Sequence, residues 1–176
     1  MQRGTLASIN LSDGGVPKLP VSECEVTANG LEGDRQRDLH FHGGPGRAVS
    51  LFSLEKIRAL QAEGHPIDAG TTGENFTVSG LDWDAVAPGA TLRVGEVTLE
   101  VTNYAHPCAN IAGSFEDGGY HRMSQQRQPG WSRVYARVVQ PGRVQVSDEV
   151  ELTGLAAHPA GCYHPAPRNP CRRRAS

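Results

Sequence analysis

The chain has no apolar run approaching the ~18 to 20 residues that a helix needs to cross a bilayer. Its N-terminus lacks a basic segment followed by an apolar stretch and a small-residue cleavage site, so no secretory signal is read there. Its four cysteines, Cys24, Cys108, Cys162 and Cys171, include no Cys-x-x-Cys pair. These absences lead to the expectation of a cytoplasmic setting with reduced thiols and no membrane partner. Charge of one sign is missing too. There are 17 basic and 19 acidic residues, a formal net charge of −2, which argues against a chain-wide nucleic-acid footprint. Neither Gly-x-x-x-x-Gly-Lys-[Ser/Thr] nor Gly-x-Gly-x-x-Gly occurs, which excludes a Walker loop and a dinucleotide fingerprint. No Gly-x-Ser-x-Gly elbow supports a serine hydrolase.

Turn formers are abundant instead: 21 Gly and 12 Pro in 176 residues. That balance favours many short strands over long helices. A chain of this length buries a real core without disulfides or a structural metal. We read one domain over residues 1–154 and a tail over residues 155–176. From Ala156 onward there are four Pro, two Cys, four Arg and no acidic residue. With so few apolar residues, the tail is expected to be extended or disordered. Its His158, Cys162, His164 and Cys171 match no zinc spacing, because there is no close cysteine pair and prolines interrupt the segment.

Residues 4–11 alternate as a strand does, and Gly14-Gly15-Val16-Pro17 breaks them. Glu25–Thr27 reads as a weak strand ending at the turn pair Asn29-Gly30. Ala48–Phe52 is a short apolar strand. Ser53 is placed to N-cap a helix carrying Leu54, Ile57 and Leu60 at helical spacing, with Gly64 as its stop. Thr91–Val94 and Val97–Thr102 form a hairpin about Gly95-Glu96. A short helix is expected over Pro107–Gly113. Val134–Val139, Val144–Val146 and Glu149–Leu152 complete a run of short strands.

Three segments carry candidate chemistry. The loop 32–47 gathers Asp34, Arg35, Arg37, His40, His42 and Arg47 around Gly43-Gly44. It is either a solvated charged loop or a cradle in which backbone N–H groups and forked guanidinium groups meet an anion. The segment Thr71–Val78 places Glu74, a candidate acid or base, and Asn75, both donor and acceptor, at the start of a strand. It equally suits an ordinary turn into that strand. Cys108 stands where a strand gives way to the short helix. A helix start favours the reactive thiolate, yet free cysteine is also among the most buried residue types. His106 is two residues away, and adjacency in sequence does not make the two face one another.

In order along the chain stand Glu32-Gly33-Asp34-Arg35, then His42-Gly43-Gly44-Pro45-Gly46-Arg47-Ala48-Val49. Gly73-Glu74-Asn75-Phe76-Thr77-Val78-Ser79-Gly80-Leu81 follows, then Pro107-Cys108 and the run Pro129–Val138. This ordered set resembles a MOSC domain, the domain at the C-terminus of molybdenum cofactor sulfurases, in its small stand-alone bacterial form. The resemblance implies a mainly β fold, a twisted barrel with a few short helices. It implies binding of the molybdenum cofactor, a phosphorylated pterin dithiolene carrying molybdenum. On that basis Cys108 is the expected metal ligand and catalytic residue, with Glu74 and His42 beside it. Asp34, Arg35, Gly43, Gly44, Arg47, Asn75 and Arg133 are the expected cofactor contacts. The implied activity is reduction of N-hydroxylated compounds, fed by an external electron-transfer reductase. Two other readings stay open: a carrier holding sulfur as a persulfide or cofactor on Cys108, and a module binding pyridoxal phosphate or another anion without need of the thiol.

Overall fold

A computed structural model describes residues 1–35 and 44–154 of the chain. The strands are β1 (Gln2–Leu11), β2 (Leu19–Val21), β3 (Glu23–Thr27), β4 (Gly30–Leu31), β5 (Val49–Ser53), β6 (Phe76–Ser79), β7 (Thr91–Val94), β8 (Val97–Tyr104), β9 (Val134–Gln140), β10 (Gly142–Gln145) and β11 (Glu149–Gly154). One α-helix, α1 (Leu54–Ala62), lies among the described residues, with several 3-10 turns.

Alternation along the strands sets the inside. On β8, Val97, Leu99 and Val101 are buried while Thr98, Glu100 and Thr102 lie between them half-exposed, the period-2 pattern of a sheet with one face on a core. Its tight turn at Gly95 (φ 53°) pairs it with β7 in register Val94 to Val97. Leu6, Ile9, Leu51, Phe52, Phe76, Leu92 and Leu99 are fully buried in the same core.

The main sheet closes on itself. Its order is β11-β7-β8-β9-β5-β6-β1, and β1 pairs back onto β11 between Gln2–Thr5 and Glu149–Leu152. Seven strands therefore form a barrel of mainly β structure. The short β2 extends β1 beyond β11, and β3, β4 and β10 make a second, three-stranded sheet.

Six of the seven neighbour pairs in the ring are antiparallel. The exception is β5 with β6, which run parallel. Parallel neighbours need a crossover, and here α1 and the loop after it supply it. Every residue of β5 is buried, as expected of a strand covered on both faces, and α1 packs against β5 and β6. Ser53 caps α1, its Oγ accepting from Lys56 N at 3.3 Å. Ile57 and Leu60 face the core, and Gly64 (φ 95°) follows the C-terminal end.

The expected helix over Pro107–Gly113 is instead a six-residue 3-10 segment, Ala109–Ser114, with Cys108 at its N-cap position and no side-chain cap bond. Pro107 and Gly113 bound a stretch too short for two α-helical turns. The tail 155–176, His40, His42, Gly43 and Arg37 lie outside the described residues.

Candidate functional site

A cavity of about 250 Å³ opens beside the parallel pair, and residues from seven parts of the chain line it. The turn after β1 brings Ser12, Gly15, Val16 and Lys18. Arg35 follows β4, and Arg47 comes from the 3-10 turn before β5. Ser50 stands on β5, while Thr72, Gly73 and Asn75 come from the crossover loop. The segment after β8 brings Cys108, Asn110 and Ile111. Arg133 and Tyr135 stand at the start of β9. Of the expected site residues, Cys108, Arg35, Arg47, Asn75 and Arg133 thus share one cavity. Among the described residues, four of the lining side chains are cationic and none is Asp, Glu or His.

Arg133 is the most informative of them. It is 7% exposed, and its main chain is pinned, its carbonyl accepting from Ala105 N at 2.9 Å and from Ser132 Oγ at 2.8 Å. Its guanidinium makes no ion pair or hydrogen bond with a described residue. A buried cation without a counter-charge costs free energy, so its setting suits an anion arriving in the cavity. Arg47 stacks over the Tyr135 ring at 5.6 Å. Arg35 sits at the solvent-facing side, in a loose pair with Asp13 at 3.4 Å.

Lys18 carries no signal of its own in the sequence analysis, yet it is placed with care. Its main-chain N–H donates to Gly70 O at 2.9 Å, and its ammonium pairs with the Asp34 carboxylate. Asp34 Oδ1 accepts from Ser12 N at 2.9 Å, and Oδ2 accepts from Asn75 Nδ2 at 2.8 Å. Burial holds the Lys18 ammonium below the usual lysine range, with Asp34 opposing that shift.

Asn75 lines the cavity but has committed its polar atoms. Oδ1 accepts from Ser50 N and Oγ at 3.1 and 3.0 Å, and Nδ2 donates to Asn10 O at 3.3 Å as well as to Asp34. Its backbone joins β1 to β5, accepting from Asn10 N and donating to Ser50 O. It rivets the wall.

Glu74 does not reach the cavity. It is fully buried, Oε1 accepting from Gly70 N at 2.7 Å and Thr77 Oγ1 at 3.2 Å, and Oε2 accepting from Thr72 Oγ1 at 2.7 Å. With those donors met inside the loop, it braces the crossover and does not line the cavity. His106 is exposed and off the lining, and Gly44 (φ 101°) turns the chain before Arg47 without lining the cavity. Cys108 is a half-buried free thiol. The other described cysteine, Cys24 on β3, is buried, and burial pushes its thiol up.

A closed seven-stranded barrel with a cation-lined, thiol-bearing cavity at its parallel pair defines the class. The chain belongs to the MOSC domain family, whose model matches residues 38–151. It is 32% identical over 140 residues to YflK of Bacillus subtilis (strain 168), covering 78% of this chain and 62% of that one. It is 30% identical over 135 residues to YiiM of Escherichia coli (strain K12), covering 74% of this chain and 59% of that one. The chain thus spans about three fifths of the length of the curated relatives it matches. The crystal structure of YiiM from Geobacillus stearothermophilus superposes with a TM-score of 0.67 at 24% identity, covering 86% of this chain and 75% of that one. That likeness shows the fold.

Proposed function

We propose that the chain binds the molybdenum cofactor in this cavity and reduces N-hydroxylated compounds there. The observation that carries the reading is the lining itself: among the described residues, one thiol stands among four cations with no lining carboxylate, and Arg133 is buried without an ion pair. Those residues fit the group. A thiolate is a soft ligand for a transition metal, which assigns Cys108 to molybdenum. Guanidinium groups present paired donors to phosphate, which assigns Arg35, Arg47 and Arg133 to the anionic pterin. When bound, the cofactor supplies two-electron redox chemistry at the metal. The chain's own part is to anchor, neutralise and orient. Asn75 and Asp34 hold the wall still, so the cations need not reorganise when the anion enters. The sequence has no dinucleotide fingerprint and no iron–sulfur cysteine spacing, so an external electron-transfer reductase belongs to the reading. A working free thiol also calls for a reducing compartment, the cytoplasmic setting expected from the sequence.

The test is metal and pterin analysis of protein purified from a cofactor-producing host. Near-stoichiometric molybdenum and pterin in wild type, with the metal lost from Cys108→Ser, supports the assignment. Wild type devoid of both overturns it, and an added sulfur mass on Cys108 would then make the chain a persulfide carrier.

A further inference from the structure

We propose that Lys18 is the proton donor of this cavity: its ammonium, held by Asp34, protonates the hydroxyl that departs as the substrate N–O bond breaks. The role rests on the reductase reading, and an inventory of the lining leads to it. Reducing an N-hydroxylated amine to the amine and water takes two electrons and two protons. The breaking N–O bond leaves its electron pair on oxygen, and that oxygen needs a proton to leave as water.

Few groups here can supply one. The three arginines do not release protons in proteins. Cys108 is spent on the metal in this reading. The Tyr135 ring lies under the Arg47 guanidinium. Among the described residues the lining holds no Asp, Glu or His, Glu74 is locked in the crossover loop, and His106 is exposed away from it. Lys18 remains.

Its surroundings suit the task. The side chain is 10% exposed and lies on the cavity wall. Asp34 grips it, and Asp34 is itself fixed by Ser12 N and Asn75 Nδ2. The charged groups that act on it are Asp34, Arg133 and Glu74. Burial is the largest influence and weakens its hold on the proton, and Arg133 acts in the same direction. Asp34 and Glu74 oppose them without cancelling. The donated proton returns to the amine from solvent. The second proton reaches the substrate nitrogen from water, and the external reductase supplies both electrons.

The chain has only two lysines, Lys18 and Lys56, so each amine can be followed separately. The first experiment labels the cofactor-free protein with acetic anhydride across about pH 6 to 11 and reads both sites by mass spectrometry. Lys18 is expected to reach half-reactivity below the ordinary lysine value of about 10.4. A Lys18 that titrates at or above that value, or that stays unlabelled throughout, overturns the proposal. The second uses the loaded enzyme with reduced viologen as electron source. Wild-type kcat should fall as pH rises through the Lys18 labelling midpoint. Lys18→Arg keeps the positive charge but cannot release a proton, and should lower kcat by about 10²- to 10⁴-fold with little change in KM and no such alkaline fall. Lys18→Arg with wild-type kcat means that charge alone is needed, and overturns the role. Wild type that takes up no cofactor fails the reductase reading, and the role falls with it; loaded wild type beside a fully active Lys18→Arg fails the role alone.

Discussion

At the scale of single residues, two buried carboxyl groups with similar burial do different work. Asp34 faces the cavity wall and holds a cation there, while Glu74 takes three neutral donors from its own loop. Removing an acceptor from such a set leaves buried donors unmet, which costs about 1–3 kcal/mol. Glu74→Gln is therefore expected to destabilise the fold by that amount in urea unfolding, because its new amide N–H groups face donors at Gly70, Thr72 and Thr77. Cofactor content per folded molecule should stay unchanged. A variant of normal stability that has lost turnover would restore Glu74 as an acid. The residue types at these positions were readable in the sequence, but their directions were not. Glu74 and Asn75 are neighbours in a turn, and only the crossover decides that one points into the loop and the other towards Asp34. Lys18 escaped for a related reason: a lone lysine between Pro17 and Pro20 has no periodic pattern around it.

At the scale of elements, the crossover loop after α1 sets the site. Gly70 adopts φ 81°, a backbone region that L side chains avoid, and a Cβ there would run into the Lys18 carbonyl oxygen. Its own carbonyl takes the Lys18 N–H. Gly70→Ala should therefore strain the loop by about 1–3 kcal/mol and displace Lys18 together. Thermal unfolding of the variant beside the acetylation profile checks both: a normal melting temperature with an unshifted Lys18 would refute the coupling. The elements that alternation or capping residues mark were legible, namely β1, the β7–β8 hairpin and α1. The three-residue β2 was not. It contains Pro20, which lacks a ladder donor, and it exists because β1 offers an edge beyond β11. The 3-10 turns between Glu116 and Met123 likewise follow from how that stretch lies against the body, since no period announces them.

At the scale of the whole molecule, stability should weaken in acid. Arg122 hydrogen-bonds to Glu63 and Arg93 to Glu151, and each holds its carboxyl below the usual glutamate range. At Glu55 burial pushes upward, but hydrogen bonds from the Gly80 N–H and Ser53 Oγ outweigh it and the net shift is again downward. A lowered carboxyl contributes stability that is present above its unfolded value, about 4.3, and lost as pH falls through its folded value. Lys18, lowered as well, gives a trend of the same sign at the alkaline end, where stability rises as pH climbs through its folded value towards the ordinary lysine value. Urea midpoints at neutral pH, near pH 4.5 and near pH 3 should therefore decline in that order, and a flat series would refute it. Ring closure itself was not legible, because β1 and β11 stand at opposite ends of the described chain and no local pattern names a partner so distant. The mainly β class came from the glycine and proline content, and the barrel came from resemblance.

The odd number of strands in the ring has a consequence of parity. Directions up and down can alternate around a closed ring only if the count is even, so seven strands must leave at least one pair of neighbours running the same way. That mismatch can be moved around the ring by rewiring the chain, but never removed. Here it falls between β5 and β6, and the long connection it demands is the segment that delivers Thr72, Gly73 and Asn75 to the cavity wall. An eight-stranded relative built wholly of hairpins would owe no such connection and would lack this wall, so the place where the alternation fails is also the place where the barrel makes room for chemistry.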